Sequence, residues 1–421
     1  MRHFHFQDGQ MMAENVSLHT IADEVGTPVY VYSAATLKRH YQVFEQAISD
    51  MDALIAFSVK ANSNIAVLAL LAKLGAGADV VSGGELTRAL MAGMPAQKIV
   101  FSGVGKTMDE MRAALEADIL QFNVESMPEL YALDATARAL NTTARIAFRI
   151  NPDVSAGGHA KITTGKAENK FGINIDQAES AYAEAASLGN IEIVGIDMHI
   201  GSQIDTLAPF KAALTKGIEL IKTLRASGHN IRSYDFGGGL GIPYNEDENT
   251  PPLPALYGQM IAEATIGLDL KMIFEPGRLI AGNAGILLSK TVYVKKGSVR
   301  NFIILDAAMN DLIRPALYDA HHHIEPVTLT ENGAPTQTYD IVGPVCETGD
   351  TFAKHRDLPE ISAGDLIVIH SAGAYGAVQA GQYNTRPLIP EVLVSGDKYE
   401  IIRERPSVED ILKTEHIPDW V

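Results

Sequence analysis

The chain contains a single cysteine, Cys346, in 421 residues. An intrachain disulfide is therefore impossible, which suits a reducing compartment. Positive charge is scarce: 34 Lys and Arg stand against 51 Asp and Glu, a formal net charge of −17. A nucleic-acid binder draws affinity from clustered Lys and Arg, so this balance argues against such a partner. It leaves room for an anionic ligand in one local basic pocket. No stretch approaches the roughly 18 consecutive apolar residues of a transmembrane helix. The opening segment MRHFHFQDGQMMAENVSLHT has no apolar core of the kind found in secretory signals. These absences set the expectation of a cytoplasmic protein with no membrane partner. Apolar residues at 46% and charged residues at 20% exclude disorder and collagen-like repeats and suit a chain that buries a sizeable core.

From about residue 36 to 282, short apolar runs alternate with helix-like stretches. The runs are 55–60, 78–82, 98–103, 119–124, 144–151, 191–201, 231–239 and 270–277. Between them lie stretches such as IAVLALLAKLGA and TMDEMRAALEA, whose apolar residues recur at i, i+3 and i+4. Such alternation implies crossover connections and a parallel sheet. Eight repeats without an obvious edge strand favour a (β/α)8 TIM barrel, with a doubly wound open sheet as runner-up. From 283 to 421 helical patterns become scarce, and short β-rich runs punctuated by Gly, Pro and Asp predict a mostly antiparallel β domain. PVYVYS at 28–33 reads as a strand ahead of the barrel, and the first 20 residues as neither helix nor barrel strand. Residues 1–35 are therefore expected to form an N-terminal arm that joins the C-terminal β domain. The Gly-rich segment 151–172 is long enough to be a lid or interface loop.

A barrel carries its active site at the C-terminal ends of its strands. Those ends hold Lys60, Arg149, His199, Gly237 to Gly239, and the run Glu275, Pro276, Gly277, Arg278. A lone lysine at a strand end usually reaches to solvent. In a barrel mouth, partial desolvation favours its neutral form, which attacks carbonyl carbon to give a Schiff base. The two glycine-rich turns follow strands seven and eight, where barrels often bind phosphate, although either could be a simple tight turn. Glu275 could pair with a cationic ring nitrogen or form an ordinary salt bridge. His199 could stack on a planar ring or be a satisfied core histidine. Taken together, a Schiff-base lysine, a phosphate cradle and a carboxylate for a ring nitrogen suggest pyridoxal 5′-phosphate. The run His321, His322, His323 invites a metal reading. Adjacent side chains diverge, so no metal site is expected there, only a polar segment. The acidic stretch RERPSVEDILKTEH reads as a solvated face.

FSVKANSN, HIGSQI, DFGGGLGIPY, EPGR, MNDLIRPALYDAHH, GPVCETGD and GAYG occur in this order from about residue 27 to 390. In this series the chain resembles the diaminopimelate decarboxylase family, a branch of the pyridoxal-phosphate-dependent decarboxylases of alanine-racemase-like fold. The barrel motifs are specific for the wider group, and MNDLIRPALYDAHH and CETGD narrow it to this branch. The resemblance implies a barrel plus a β domain, and a homodimer with shared active sites. It implies that Lys60 carries the cofactor, His199 stacks on its ring, and Glu275 pairs with the ring nitrogen. Gly239 and the turn Pro276, Gly277, Arg278 would cradle the phosphate. Arg278, Arg314 and Tyr318 would hold the substrate's distal carboxylate, and Glu347 its distal ammonium. Tyr375 would touch cofactor and substrate, and Cys346 would donate a proton from the second subunit. The implied reaction is decarboxylation of meso-2,6-diaminopimelate to L-lysine, the last step of lysine biosynthesis. From the residues alone, Arg314 could equally be a surface ion-pair partner and Cys346 a small buried hydrophobe. The rivals are an arginine, ornithine or carboxynorspermidine decarboxylase, whose substrates lack a distal carboxylate, and a non-catalytic cofactor-binding regulator.

Overall fold

Short runs of β-branched and aromatic residues alternate with capped helices, and this alternation builds a closed barrel. The computed structural model describes residues 3–155, 170–244, 250–330 and 334–421. Eight parallel strands follow one another: Ala53–Ser58, Gly77–Val80, Ile99–Phe101, Gln121–Val124, Ala144–Asn151, Ile191–Asp197, Ser233–Asp235 and Lys271–Phe274. The eighth pairs back onto the first, with Met272 opposite Ala53, so the sheet has no edge there. Of the two topologies left open by the sequence, the barrel is the one formed.

The helices begin where the side chains can cap them. Asn64, Ser82, Thr107 and Ser126 each accept a backbone N–H of the helix that follows, satisfying a donor with no intrahelical partner. Thr107 and Glu110 do so reciprocally. The helices cover the barrel with aromatic contacts: Phe44 of helix Ala34–Ala47 meets Phe274 edge-on at 5.8 Å. Burying such a side chain contributes roughly 1.5–3 kcal/mol. Inside, Leu54, Ala56, Val100 and Ile273 form an apolar cluster. Ser58 shares the face of Leu54 and Ala56 by the two-residue strand period, and with it the interior turns polar toward the C-terminal strand ends.

Several strands stop short of the expected runs. The first ends at Ser58, and Val59–Ala61 form a 3-10 turn that carries Lys60. The seventh ends at Asp235, because Gly237 (φ +65°) and Gly239 (φ +110°) leave extended backbone. Of the expected 151–172 loop, residues 156–169 lie outside the described residues.

The second unit comprises the chain up to Leu37, Tyr244, and everything from Ala281 onward. Its centre is a mostly antiparallel sheet. The strand Val29–Ser33 lies inside it, antiparallel to Gly285–Lys296 on one side and parallel to Glu391–Ser395 on the other. The arm thus supplies a central strand. The start of the arm forms a three-stranded sheet separate from the barrel, Phe4–Gln7, Gln10–Ala13 and Val16–Ser17; only the helix Leu18–Val25 that follows departs from expectation. Ser17 caps that helix, and Leu18, Ile21 and Ala22 are buried in the unit's core with Val29 and Val31. The C-terminal helix Val408–Leu412 buries no residue, in keeping with a solvated stretch.

Candidate active site

At the C-terminal end of the barrel, charge is packed against charge. Lys60 is ion-paired with Asp79, which also accepts the Ser58 hydroxyl at 2.9 Å. Asp79, Asp197, Asp235 and Glu275 are all buried. Carboxylate oxygens of the last three lie within 4.8 Å of one another. Asn123 donates to Asp235 at 3.0 Å, and the Ser102 hydroxyl donates to Glu275 at 3.3 Å. Arg149 is buried and paired with Glu125 at 3.1 Å, and its guanidinium lies 4.7 Å from the Phe171 ring centre.

The crowding has electrostatic consequences. Burial, and next the Asp79 charge, push the Glu275 carboxyl up to about 7 against the opposing pull of Lys60 and Arg149. Burial and then Glu275 push Asp197 and Asp235 well above the carboxylate range. His199 goes the other way: burial first, then Arg149 and Lys60, hold it well below the usual histidine range. Its Nδ1 accepts the Gly238 N–H at 3.2 Å, so the ring is neutral with its proton on Nε2. Such a ring presents a flat, uncharged face.

The glycine turns are sterically required. A Cβ at Gly239 would stand 2.4 Å from the Gly201 carbonyl oxygen, in a backbone conformation that L-residues rarely adopt. Nearby, Arg278 is buried at the start of the short helix Arg278–Ala281 and donates to the Ser202 hydroxyl at 3.0 Å. Ser202, Asp79, Asn123, Asp197 and Asp235 were not singled out from the sequence. A carboxylate inside an apolar strand run, as in GADV, GIDMH and SYDFG, was the available signal.

The β unit carries the remaining candidates. Arg314 opens helix Arg314–Tyr318, is 7% exposed, and reaches His322 Nε2 at 2.9 Å. Tyr318 is half-buried, and its hydroxyl accepts from Gln379 at 3.4 Å. Tyr375 is held at φ +57°, a left-handed conformation uncommon for a tyrosine and a mark of an over-determined loop. Cys346 is exposed, so it is not the small buried hydrophobe that a free cysteine commonly is. Glu347 beside it is exposed too. Their turn is built by Asp350, whose carboxylate accepts the N–H groups of Met309 and Val345 at 2.6 and 2.7 Å. Asn384 Oδ1 accepts the Cys346 N–H at 3.1 Å.

The three-histidine run diverges, as adjacent residues must, but it is not merely a polar segment. His322 is wholly buried against Arg314, while His323 is exposed. His323 joins Glu325 and His370 in a group whose ligand atoms lie within 4.8 Å. That group is closed by a 2.7 Å hydrogen bond between His370 and Glu325.

A barrel with a paired lysine, a neutral histidine, a glycine cradle and a buried carboxylate at its C-terminal end has the form of a pyridoxal-phosphate-dependent barrel enzyme. Residues 34–282 match the family described as "Pyridoxal-dependent decarboxylase, pyridoxal binding domain". The chain is 50% identical to the diaminopimelate decarboxylase of Zymomonas mobilis over 99% of both chains, and 49% identical to that of Pseudomonas fluorescens over 98% of this chain and 99% of the other. Among solved structures, it resembles diaminopimelate decarboxylase from Helicobacter pylori complexed with L-lysine (TM-score 0.90, 42% identity, 94% of this chain and 98% of that one). It also resembles the enzyme from M. jannaschii (TM-score 0.94, 36% identity, 99% and 98%). The chain belongs to the diaminopimelate decarboxylases within the pyridoxal-dependent decarboxylase family, and pyridoxal phosphate is its cofactor.

The residues present fit that cofactor. Burial and the Asp79 charge raise Glu275 to about 7, and a cation beside it, such as a protonated ring nitrogen, would favour its carboxylate form. Among the described residues Asp197 Oδ1 is buried with no hydrogen-bond partner, so the polar floor is incomplete by itself.

Proposed function

We propose that the protein decarboxylates meso-2,6-diaminopimelate to L-lysine and carbon dioxide, with the residue roles that follow. The carrying observation is identity of about half over nearly the whole chain to relatives named for that reaction. Lys60 holds the cofactor covalently, His199 lies against its ring, and Glu275 faces the ring nitrogen. Gly239 and the turn Pro276, Gly277, Arg278 take the phosphate on backbone N–H groups and a guanidinium. When bound, the cofactor supplies an electron sink for the pair left on Cα as carbon dioxide departs. Glu275 supports that sink by keeping a positive charge on the nitrogen it faces. Burial raises its carboxyl to about 7, and a cation beside it would pull it back toward the carboxylate form.

At the distal end, Arg314, Arg278 and Tyr318 bind the second carboxylate and Glu347 the second ammonium. Arg314 can offer two parallel N–H bonds, which a lysine cannot imitate. A site built to hydrogen-bond this head group rejects amino acids lacking it by about 10⁴–10⁵. Tyr375 contacts cofactor and substrate. Cys346 supplies the proton to Cα from the second subunit of a homodimer, a reading supported by its exposure on a braced turn. L-lysine results when the D-centre reacts. We also propose that the enzyme works in the cytoplasm; no helix among the described residues is long and apolar enough to cross a membrane.

Incubation of the pure protein with pyridoxal phosphate and a panel of amino acids, with carbon dioxide and lysine measured, tests the proposal. Release from meso-diaminopimelate but not from arginine or ornithine is expected. The reverse preference would overturn it.

A further inference from the structure

We propose that Tyr244 and His322 are positioning residues for Arg314: together they fix the plane and the rotation of its guanidinium, and so set the preference for a substrate with a distal carboxylate. This rests on the reading of Arg314 as the distal-carboxylate group.

His322 is fully buried, and its two ring nitrogens face opposite kinds of partner. Nδ1 lies 2.8 Å from the His370 carbonyl oxygen, which can only accept, so Nδ1 carries the hydrogen. Nε2 lies 2.9 Å from Arg314 Nη1, which can only donate, so Nε2 offers its lone pair. Both ends demand the same neutral tautomer. A second ring proton would set N–H against N–H. The anchoring carbonyl is itself well held: the His370 N–H donates to the His323 carbonyl at 2.9 Å, continuing the antiparallel pairing of Ile324 with Ile369. The His370 side chain is bonded to Glu325 at 2.7 Å.

Tyr244 restricts the other degree of freedom. The guanidinium carbon of Arg314 lies 4.7 Å from the Tyr244 ring centre, and the same ring meets His322 at 81° with centroids 5.4 Å apart. A cation over an aromatic face is attracted by the ring quadrupole, a contact that uses no hydrogen-bond acceptor. A carboxylate is gripped through the guanidinium edge, by N–H groups in its plane. The Tyr244 contact therefore restrains the guanidinium without using an acceptor, and His322 takes one N–H so that the group cannot turn freely. Tyr244 is 8% exposed, which keeps competing water from the stack.

The test compares meso-diaminopimelate with D-lysine, which keeps the reacting end and the distal amine but lacks the distal carboxylate. Tyr244→Leu should raise KM for meso-diaminopimelate roughly tenfold, and His322→Leu roughly 10- to 100-fold. In both, kcat and the absorbance of bound cofactor should stay near wild type, and the rate with D-lysine should fall far less. Tyr244→Phe, which keeps the ring face, should recover most of the loss. His322→Gln, which keeps an acceptor, should lie between wild type and His322→Leu. Equal losses with both substrates, or a parallel loss of cofactor absorbance, would reduce the pair to a structural role and overturn the proposal. Should His322→Leu fail to fold, His322→Gln and Tyr244→Leu decide it: wild-type substrate ratios in both overturn it. Arg314→Leu is measured alongside. If its substrate ratio is unchanged, the reading of Arg314 fails and takes the inference with it. If that ratio collapses while the Tyr244 and His322 variants keep theirs, only the inference fails.

Discussion

Glu275 and Glu347 are the same residue type under two kinds of control. In the barrel unit, Glu275 stands at a strand end, 5% exposed, among Ser102, Asn123 and other carboxylates. In the β unit, Glu347 stands exposed on a turn, its carboxylate accepting the Gly349 N–H at 3.1 Å. The same contrast separates Lys60, ion-paired beside a parallel sheet, from Cys346, displayed on a loop that Asp350 and Asn384 brace. The barrel end concentrates charge in a medium that solvates it poorly, so its groups tune one another. The turn that carries Cys346 and Glu347 instead holds their side chains outward, where another molecule can meet them.

Four measurements would break or sharpen that contrast. The largest effect is expected at Lys60. Lys60→Ala should reduce turnover to background and remove the visible absorbance of bound cofactor, while circular dichroism stays native. Normal decarboxylation by this variant would end the assignment of the barrel unit as the cofactor site. Next, Arg314→Leu should lower kcat/KM for meso-diaminopimelate by about 3–5 kcal/mol, because a buried carboxylate loses its charged partner. Cofactor affinity should change far less. An equal loss of both would move Arg314 into the cofactor site and blur the division between the units.

The third measurement concerns the displayed cysteine. Lys60→Ala and Cys346→Ala chains, mixed and shown by two tags to exchange, should recover roughly a quarter of wild-type activity if each site takes its cysteine from the other subunit. Half of the randomly paired dimers are mixed, and each of those has one intact site of two. Activity no greater than the sum of the separate mutants would assign both residues to one protomer's own site.

The smallest effect is a slope. The folded-state position of Glu275 is raised from the ordinary carboxylate range to about 7. Between that range and pH 7 the folded chain holds this proton more tightly than the unfolded one. Stability is therefore favoured at the acidic side of the window and is lost as pH rises toward about 7. Burial raises Glu85 to about 7 in the same direction. In cofactor-free protein, the melting temperature should fall over this window, and Glu275→Gln should flatten part of the fall. Identical slopes in the two proteins would mean that burial and the neighbouring charge do not raise Glu275 in the folded chain.

Much of the barrel was legible because its signal is local. Short apolar runs and the helical periodicity between them are readable within a short window. Lys60, His199, Glu275 and the glycine turns were legible by position, since a strand's C-terminal end can be counted from its apolar run. Helix Leu18–Val25 was not read, because eight residues make too little periodicity to stand out from the strands around it. The early endings of strands six and seven were missed for a related reason. Apolar residues continue past Asp197 and Asp235, and only backbone conformation says where pairing stops.

The sequence by itself determined the alternation that closes a barrel, the strand ends that carry a lysine, a histidine and a carboxylate, and the exclusion of any internal disulfide. It did so because chain connectivity and side-chain periodicity are properties of neighbours. Tertiary structure alone decided that Asp79, Asp197 and Asp235 would share one desolvated volume with Glu275, and that Tyr244 and His322 would meet at Arg314. Seventy residues separate Arg314 from Tyr244, and only eight separate it from His322. Neither spacing implies a contact: one is made across the fold, and the other by a turn that sends His322 inward while its neighbour His323 faces out. Stacking, tautomer choice and carboxylate crowding depend on distances through space, which a linear pattern does not encode.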